Sequence, residues 1–382
     1  MKQEFGTIKS YVLILVAIAW QCVFASLASA DKLVVDRDGQ QETINGELLY
    51  TALDKSILFE SSDGQLHIFI ADQIVSMEEE VETLPTLDHD ELGKSLLKDL
   101  PNGFKIHKTK NYVIAYRTEL EIAEWIEDLY EKRLFKEFEK FSKLKLKYGL
   151  EESRFPLPIV VFGSRPEYDL YVIRELGVEP GTMIAHYSQM TNRVAMYDLT
   201  FDVGDGGGKR RLKEVLNRPD AIPMVTTIIH EGTHQLMFNR GMQTRLADDP
   251  LWLNEGMANW FEAPDLKKRI GWHRPGLPNA LRIQQLEKYI QNRPANSLET
   301  LVSSDSRFED EGAFDAYAES WALMHFLLKR RTKEFRTYLK AIANKRPGIP
   351  VNAKTRLAEF TEHFGELDKL DKAFLKYIKT LR

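Results

Sequence analysis

The sequence predicts an α+β protein: a small all-β, barrel-like module, then a larger domain of strand and helix runs that ends in a helical lobe. Three observations predict it. The turn pairs Asp38-Gly39, Asn45-Gly46 and Asp63-Gly64 separate short apolar runs near the start. Strand-like apolar runs alternate with helical patterns through the middle of the chain. Beyond Glu262 the pattern is helical to the end.

Residues 1–30 stand outside this plan. Lys2 and Lys9 flank the start, an apolar run over 11–20 extends to about residue 25, and Ala28-Ser29-Ala30 forms a small-residue cleavage site before Asp31. The segment reads as a signal peptide, so the mature protein is expected in the periplasm, the cell envelope or the extracellular space. The run is short for a membrane span, which takes about twenty apolar residues, and no stable span is expected after cleavage. An uncleaved anchor is the alternative. Gln21 stands where a lipoprotein carries a small residue before its cysteine, which argues against lipidation of Cys22. Cys22 is the single cysteine, so the mature chain has no disulfide and relies on its core and any metal.

The chain has 52 Lys and Arg against 57 Asp and Glu, and the signal segment removes two bases and one acid. A mildly acidic protein is a poor partner for nucleic acid, whose phosphates demand a basic face. Enough chain remains for a sizeable core and more than one domain.

Residues 31–80 make the first module. Runs such as 33–35, 48–52, 56–60 and 66–70 point to five short strands in a small barrel. Nothing in it has catalytic character; it is expected to brace the larger domain or to bind envelope material. Glu78-Glu79-Glu80 opens a charged stretch, and 81–103 reads as a linker to the larger domain, 104–382. There, 112–116 and 158–162 read as strands, 119–148 as one or two helices and 168–176 as another helix. Two more strand-like runs, 183–187 and 193–197, flank Asn192. The glycine-rich run from Gly204 to Arg210 fails as a phosphate loop: Val203 replaces its first glycine, and Arg210 the Ser or Thr that would hold magnesium. It reads as a mobile surface loop before the next helix, with a gate over the cleft as the alternative. The helical lobe includes patterns at 281–291, 317–329, 335–343 and 367–378.

The most specific pattern is His230-Glu231-Gly232-Thr233-His234. Residues 223–238 read as a helix, with Pro223 at its start, Val225, Ile228, Ile229 and Leu236 as packing surface, and Gly241 to stop it. Two histidines four apart share one helix face, roughly 5–6 Å apart at Cβ, so both imidazoles reach one ion. Zinc takes such ligands, and a catalytic site keeps three protein ligands and an open position. A carboxylate at Glu231 lies where it can take a proton from water beside the metal. Asp248-Asp249-Pro250 then opens a second helix carrying Glu255 and, one turn on, Asn259. From there Asn259 can hydrogen-bond a ligand imidazole.

These motifs resemble the gluzincins of the peptidase MA-like superfamily, the thermolysin-like zinc metallopeptidases. More closely, the chain resembles a secreted bacterial family of unknown function, in which a His-Glu-x-x-His helix precedes a Pro-x-Trp-Leu-x-Glu-Gly-x-Ala segment. That segment is matched here from Pro250 to Ala258. The resemblance covers about residues 104–380 and is strongest from Thr226 to Glu262. It implies a thermolysin-like catalytic domain, a small mixed sheet and an active-site helix followed by a helical lobe, with zinc on His230, His234 and Glu255 and with Glu231 as general base. One of the two strands beside Asn192 would border the cleft and pair with extended peptide, an ordinary hairpin being the alternative. In such enzymes the helical lobe supplies a Tyr or His donor for the oxyanion; Tyr317 is the candidate, with His325 and His273 behind it. A tyrosine on a buried helix face is the plainer reading of Tyr317. Thermolysin has Asp where this chain has Asn259, and a neutral side chain raises histidine basicity less.

The expected function is therefore that of a secreted zinc metallopeptidase acting on a peptide or protein substrate. No acidic anchor for a free amine precedes the zinc helix, which favours an endopeptidase. The alternatives are a zinc hydrolase of a non-peptide amide, and a non-catalytic envelope scaffold or binding protein that retains the fold. Oligomeric state is open.

Overall fold

Five antiparallel strands begin the folded chain: β1 (Ala30–Arg37), β2 (Gln40–Thr51), β3 (Ile57–Ser61), β4 (Leu66–Phe69) and β5 (Ile74–Glu80). This is a computed structural model that describes residues 30–80, 86–203, 207–218, 221–263, 272, 274–309 and 312–381. Residues 1–29, which hold Cys22 and all but the last residue of the segment expected to be a signal peptide, lie outside the described residues, as do residues 81–85, Gly204 to Gly206 and His273; Ala30 of the expected cleavage site is the first residue of β1. Asp38 and Gly39, at φ 56° and 83°, make the tight turn between β1 and β2; positive φ at both central residues suits a hairpin.

The strand order is β4-β3-β2-β1-β5. The ladder stops at β4 on one side and β5 on the other, so this is an open sheet and not a closed barrel. Leu33, Val35, Ile57, Phe59 and Phe69 form a small core of its own. Glu78, Glu79 and Glu80, read above as the start of a linker, are the end of β5 and pair with Lys32, Asp31 and Ala30.

The expected linker at 81–103 also holds structure. Helix α1 (His89–Asp99) starts at Asp88, which accepts from the backbone of Asp90 and Glu91 while Glu91 reaches back to the Asp88 N–H. This capping box stabilises a helix whose Leu92 and Leu96 enter the main core. Reading the charges alone hid both the cap and the apolar spacing.

The second sheet contains β6 (Lys105–Lys108), β7 (Tyr112–Tyr116), β8 (Leu157–Phe162), β9 (Ala185–Tyr187) and β10 (Val194–Tyr197), in the order β6-β7-β8-β10-β9. It is mixed: β8 runs parallel to β7 and β10, and the outer pairs are antiparallel. The three central strands are buried along their length, and their continuous apolar runs are what strands covered on both faces require. Between β7 and β8 lies an irregular helix: α2 (Leu120–Leu129), a π-helical turn (Tyr130–Leu134), α3 (Phe135–Lys140) and a second π segment (Phe141–Leu146). Helix α4 (Arg165–Leu176) connects β8 to β9 and stops at Gly177, φ 67°.

After the sheet come α5 (Gly208–Leu216), α6 (Ala221–Asn239) and α7 (Leu251–Phe261). The lobe follows, with α8 (Ala280–Ile290), α9 (Ser297–Ser303), α10 (Ala313–Arg330), α11 (Thr332–Ala343), α12 (Ala353–Phe364) and α13 (Leu367–Ile378). Helix α6 begins two residues before Pro223, and Lys209 and Arg210 of the expected loop lie in α5. Helices α9 and α12 add to the four expected in the lobe. Among the described residues, no helix is long and apolar enough to cross a membrane.

Candidate metal centre

Helix α6 packs its glycine against the irregular helix. A Cβ on Gly232 would meet the Tyr130 ring at 2.6 Å and Leu134 at 2.7 Å, and the Tyr130 hydroxyl donates to Ile228 O at 2.6 Å. This close contact requires glycine between the two histidines and orients the opposite face of α6. On that face the His230 and His234 rings lie 4.8 Å apart.

Helix α7 brings the third group. Glu255 Oε2 is 3.0 Å from His230 Nε2, and Oε1 is 3.7 Å from His234 Nε2. One donor atom from each of His230, His234 and Glu255 lies within 4.8 Å of the others, forming a group that can hold a metal ion. Tetrahedral donors about 2.0–2.1 Å from a zinc-sized ion would be roughly 3.3 Å apart, so the set fits after small side-chain adjustments. Gly256 lets α7 approach α10: a Cβ there would stand 3.0 Å from Ser320 O.

The two imidazoles have opposite surroundings. His230 Nδ1 is 2.9 Å from Glu262 Oε2, which fixes the ring and directs Nε2 toward Glu255. Burial works against a charge on His230, but the hydrogen bonds to Glu255 and Glu262 prevail and lift its pKa to about 10. His234 is pushed down to about 4 by burial, against the pull of Glu255. Glu262 is itself buried and held by Asn279 Nδ2 at 2.9 Å and Arg282 Nε at 3.1 Å. Although burial opposes it, the Arg282 charge and the His230 contact keep the Glu262 carboxyl below its ordinary value.

Asn259, expected to bond a ligand imidazole, sits one layer further out. Its Nδ2 donates to Tyr317 O at 3.3 Å and its Oδ1 accepts from Arg282 Nη2 at 3.0 Å. The contact to the imidazole is made by Glu262, seven residues after Glu255. Two turns separate these positions along one helix face, a spacing that was visible in the sequence.

Glu231 is anchored by the edge strand: its Oε2 accepts from Tyr187 N of β9 at 2.8 Å. Burial raises its pKa to about 7, opposed by His230 and supported by Glu255. This partner is a backbone N–H, which leaves no side-chain signal in the sequence. Tyr317 packs edge-on against Phe308 at 5.3 Å, beneath the Arg282 guanidinium at 5.2 Å. Burial, then the Glu255 charge, holds its phenol well above the ordinary range; Glu231 and Glu262 add to this. Tyr317 therefore belongs to the neighbourhood of the triad. His325 does not: it packs between Trp260 and Trp321, with Nδ1 3.3 Å from the Tyr377 hydroxyl.

Residues 224–348 match the model of a family described as a protein of unknown function, DUF1570. The matched third of the chain contains His230, Glu231, His234, Glu255, Glu262, Arg282 and Tyr317, but neither sheet. No curated protein matches the chain.

Proposed function

We propose that this protein is an exported zinc metallopeptidase whose catalytic domain is thermolysin-like. The observation that supports it most is the meeting of His230, His234 and Glu255 on two packed helices, with Glu231 next along the chain from His230. Two imidazoles and a carboxylate suit zinc, with His230 giving up its Nε2 proton when the ion binds, and three protein ligands leave room for substrate. Zinc bound there would polarise the scissile carbonyl and make water more acidic.

The chain's own groups account for the proton movements. Glu231, with a pKa near neutrality, takes a proton as the water oxygen bonds to the carbonyl carbon, and the Tyr187 N–H holds the carboxylate in place. The carbonyl electron pair moves onto oxygen, where the Tyr317 hydroxyl is the candidate donor to the oxyanion. When the C–N bond breaks, Glu231 returns the proton to the leaving amine. Arg282 neutralises Glu262, which keeps His230 aligned.

The deciding experiment incubates the protein from Asp31 onward with a diverse peptide library and reads cleavage by mass spectrometry, beside Glu231→Gln. Wild-type cleavage lowered by at least about 10²-fold in the variant is expected. Equal cleavage by both removes Glu231 from the mechanism. Zinc binding with no cleavage by either moves the reading to a non-peptide amide or a non-catalytic scaffold.

A further inference from the structure

The loop from Gly241 to Pro250 joins the second histidine ligand to the helix that carries Glu255, so its shape sets their separation. Leu246, in this loop, has φ 60°, a left-handed conformation that a bulky residue keeps only where its surroundings over-determine it. Those surroundings are explicit. Leu246 N donates to Gln189 Oε1 at 2.7 Å, and Leu246 O accepts from Gly348 N at 2.9 Å. Thr244 Oγ1 donates to Ala343 O at 3.0 Å, attaching the loop to the end of α11.

Arg245 joins the loop to the N-terminal module. Its Nη1 donates to Gly64 O at 2.8 Å and to Gln189 O at 3.2 Å, and its Nη2 pairs with Glu60 of β3. Both partners of this ion pair are buried, with side-chain exposures of 9% and 8%. A guanidinium presents several donors in a rigid fork, so one side chain links three stretches of chain. Arg154 supplies a second tie, from Nη1 to Glu60 Oε2 at 2.8 Å.

The same module also touches the hairpin that positions Glu231. Leu66 N of β4 donates to Met190 O at 2.6 Å, in the turn between β9 and β10. On its other side that turn is held by α6: Gln235 Nε2 donates to Asn192 O at 2.9 Å and Asn239 Nδ2 to Asn192 Oδ1 at 2.7 Å. Strand β9 then presents Tyr187 N to Glu231. Both connections that set the site, the Glu255 loop and the Tyr187 strand, therefore rest on the open sheet.

We propose that the N-terminal sheet is a working part of the metal centre, with Arg245 and Glu60 as positioning residues that hold Glu255 and Glu231 in register with the two histidines. This assigns the module a bracing role in place of a separate binding role. Cutting the Arg245 fork releases the loop while leaving every candidate ligand in the chain.

The test uses the full exported chain and compares wild type with Arg245→Lys, Glu60→Gln, the milder Gln189→Ala and the control Glu42→Ala. Glu42, on β2, is exposed and pairs with Arg37, which takes no part in the brace. Zinc affinity is measured by competition, coordination by the absorption of the cobalt-loaded protein, and loop order by hydrogen exchange of the metal-free protein over 241–250 and 185–187. The first three variants should weaken zinc by about tenfold, shift the cobalt bands and speed exchange in both segments, with Glu42→Ala unchanged. Unchanged affinity, spectrum and exchange in all three overturns the brace. The metal measurements rest on the proposed zinc reading, whereas the exchange measurement does not. If the wild type takes no zinc, that reading fails and the brace stands or falls on exchange alone. If Arg245→Lys and Glu60→Gln fail to fold, Gln189→Ala decides by the same measurements.

Discussion

The two ends of α7 each carry a buried acid, and they are built in opposite ways. Just after the helix, Glu262 meets His230, Asn279 and Arg282, and its carboxyl stays below its usual value. Just before it, Asp249 is 6% exposed, and neither carboxyl oxygen has a hydrogen-bond partner among the described residues. Burial, opposed by Lys345 and supported by Asp248, raises the Asp249 pKa to about 8. A buried charge is tolerated when donors surround it, and otherwise the group takes a proton. The charged acid faces the candidate metal centre, and the neutral one lies against Tyr338 and Lys345 on the lobe side.

The comparison is broken most strongly at the helix itself. Glu255→Ala removes the donor between these ends and should weaken zinc by at least about a hundredfold, read by metal analysis after dialysis. Metal content equal to wild type would remove Glu255 from the ligand set. At the charged end, Glu262→Gln keeps an oxygen near His230 but strands the Arg282 charge. Zinc affinity should fall by about tenfold, and an unchanged affinity would show that the imidazole needs no such partner.

The neutral end predicts a gain. The Asp249 pKa is 3.8 when unperturbed and about 8 in the fold, so between these values the native state holds a proton that the unfolded chain has lost. Its contribution is fully present below about pH 4 and is lost as pH rises toward 8. Asp249→Asn should therefore stabilise the protein near and above pH 7 by about 1–3 kcal/mol. Denaturant titrations at several pH values would show the gain growing across that window. A gain independent of pH would mean that Asp249 is already ionised.

Much of the site was legible because its signals are local. A four-residue interval on an α-helix places His230 and His234 on one face wherever that helix packs. The β7 and β8 runs are similarly self-declaring, since strands buried on both faces need unbroken apolar sequence. The reading failed where partners are distant in the chain. The one-turn interval from Glu255 points Asn259 at the imidazole, but Arg282, brought in by α8, pairs with it and with Glu262. The module was expected to close into a barrel because strand count is visible in turns and apolar runs, whereas closure requires β4 to pair with β5, which does not occur.

Sequence periodicity alone therefore determined the histidine pair, the neighbouring Glu231, the β-rich start and the helical end, because each depends on residues within a few positions of one another. Tertiary packing decided that Glu262 orients His230, that Tyr187 N holds Glu231 and that Arg245 ties the Glu255 loop to the first sheet. Those contacts join segments tens of residues apart, and a hydrogen bond between them exists only after the whole core has fixed their separation.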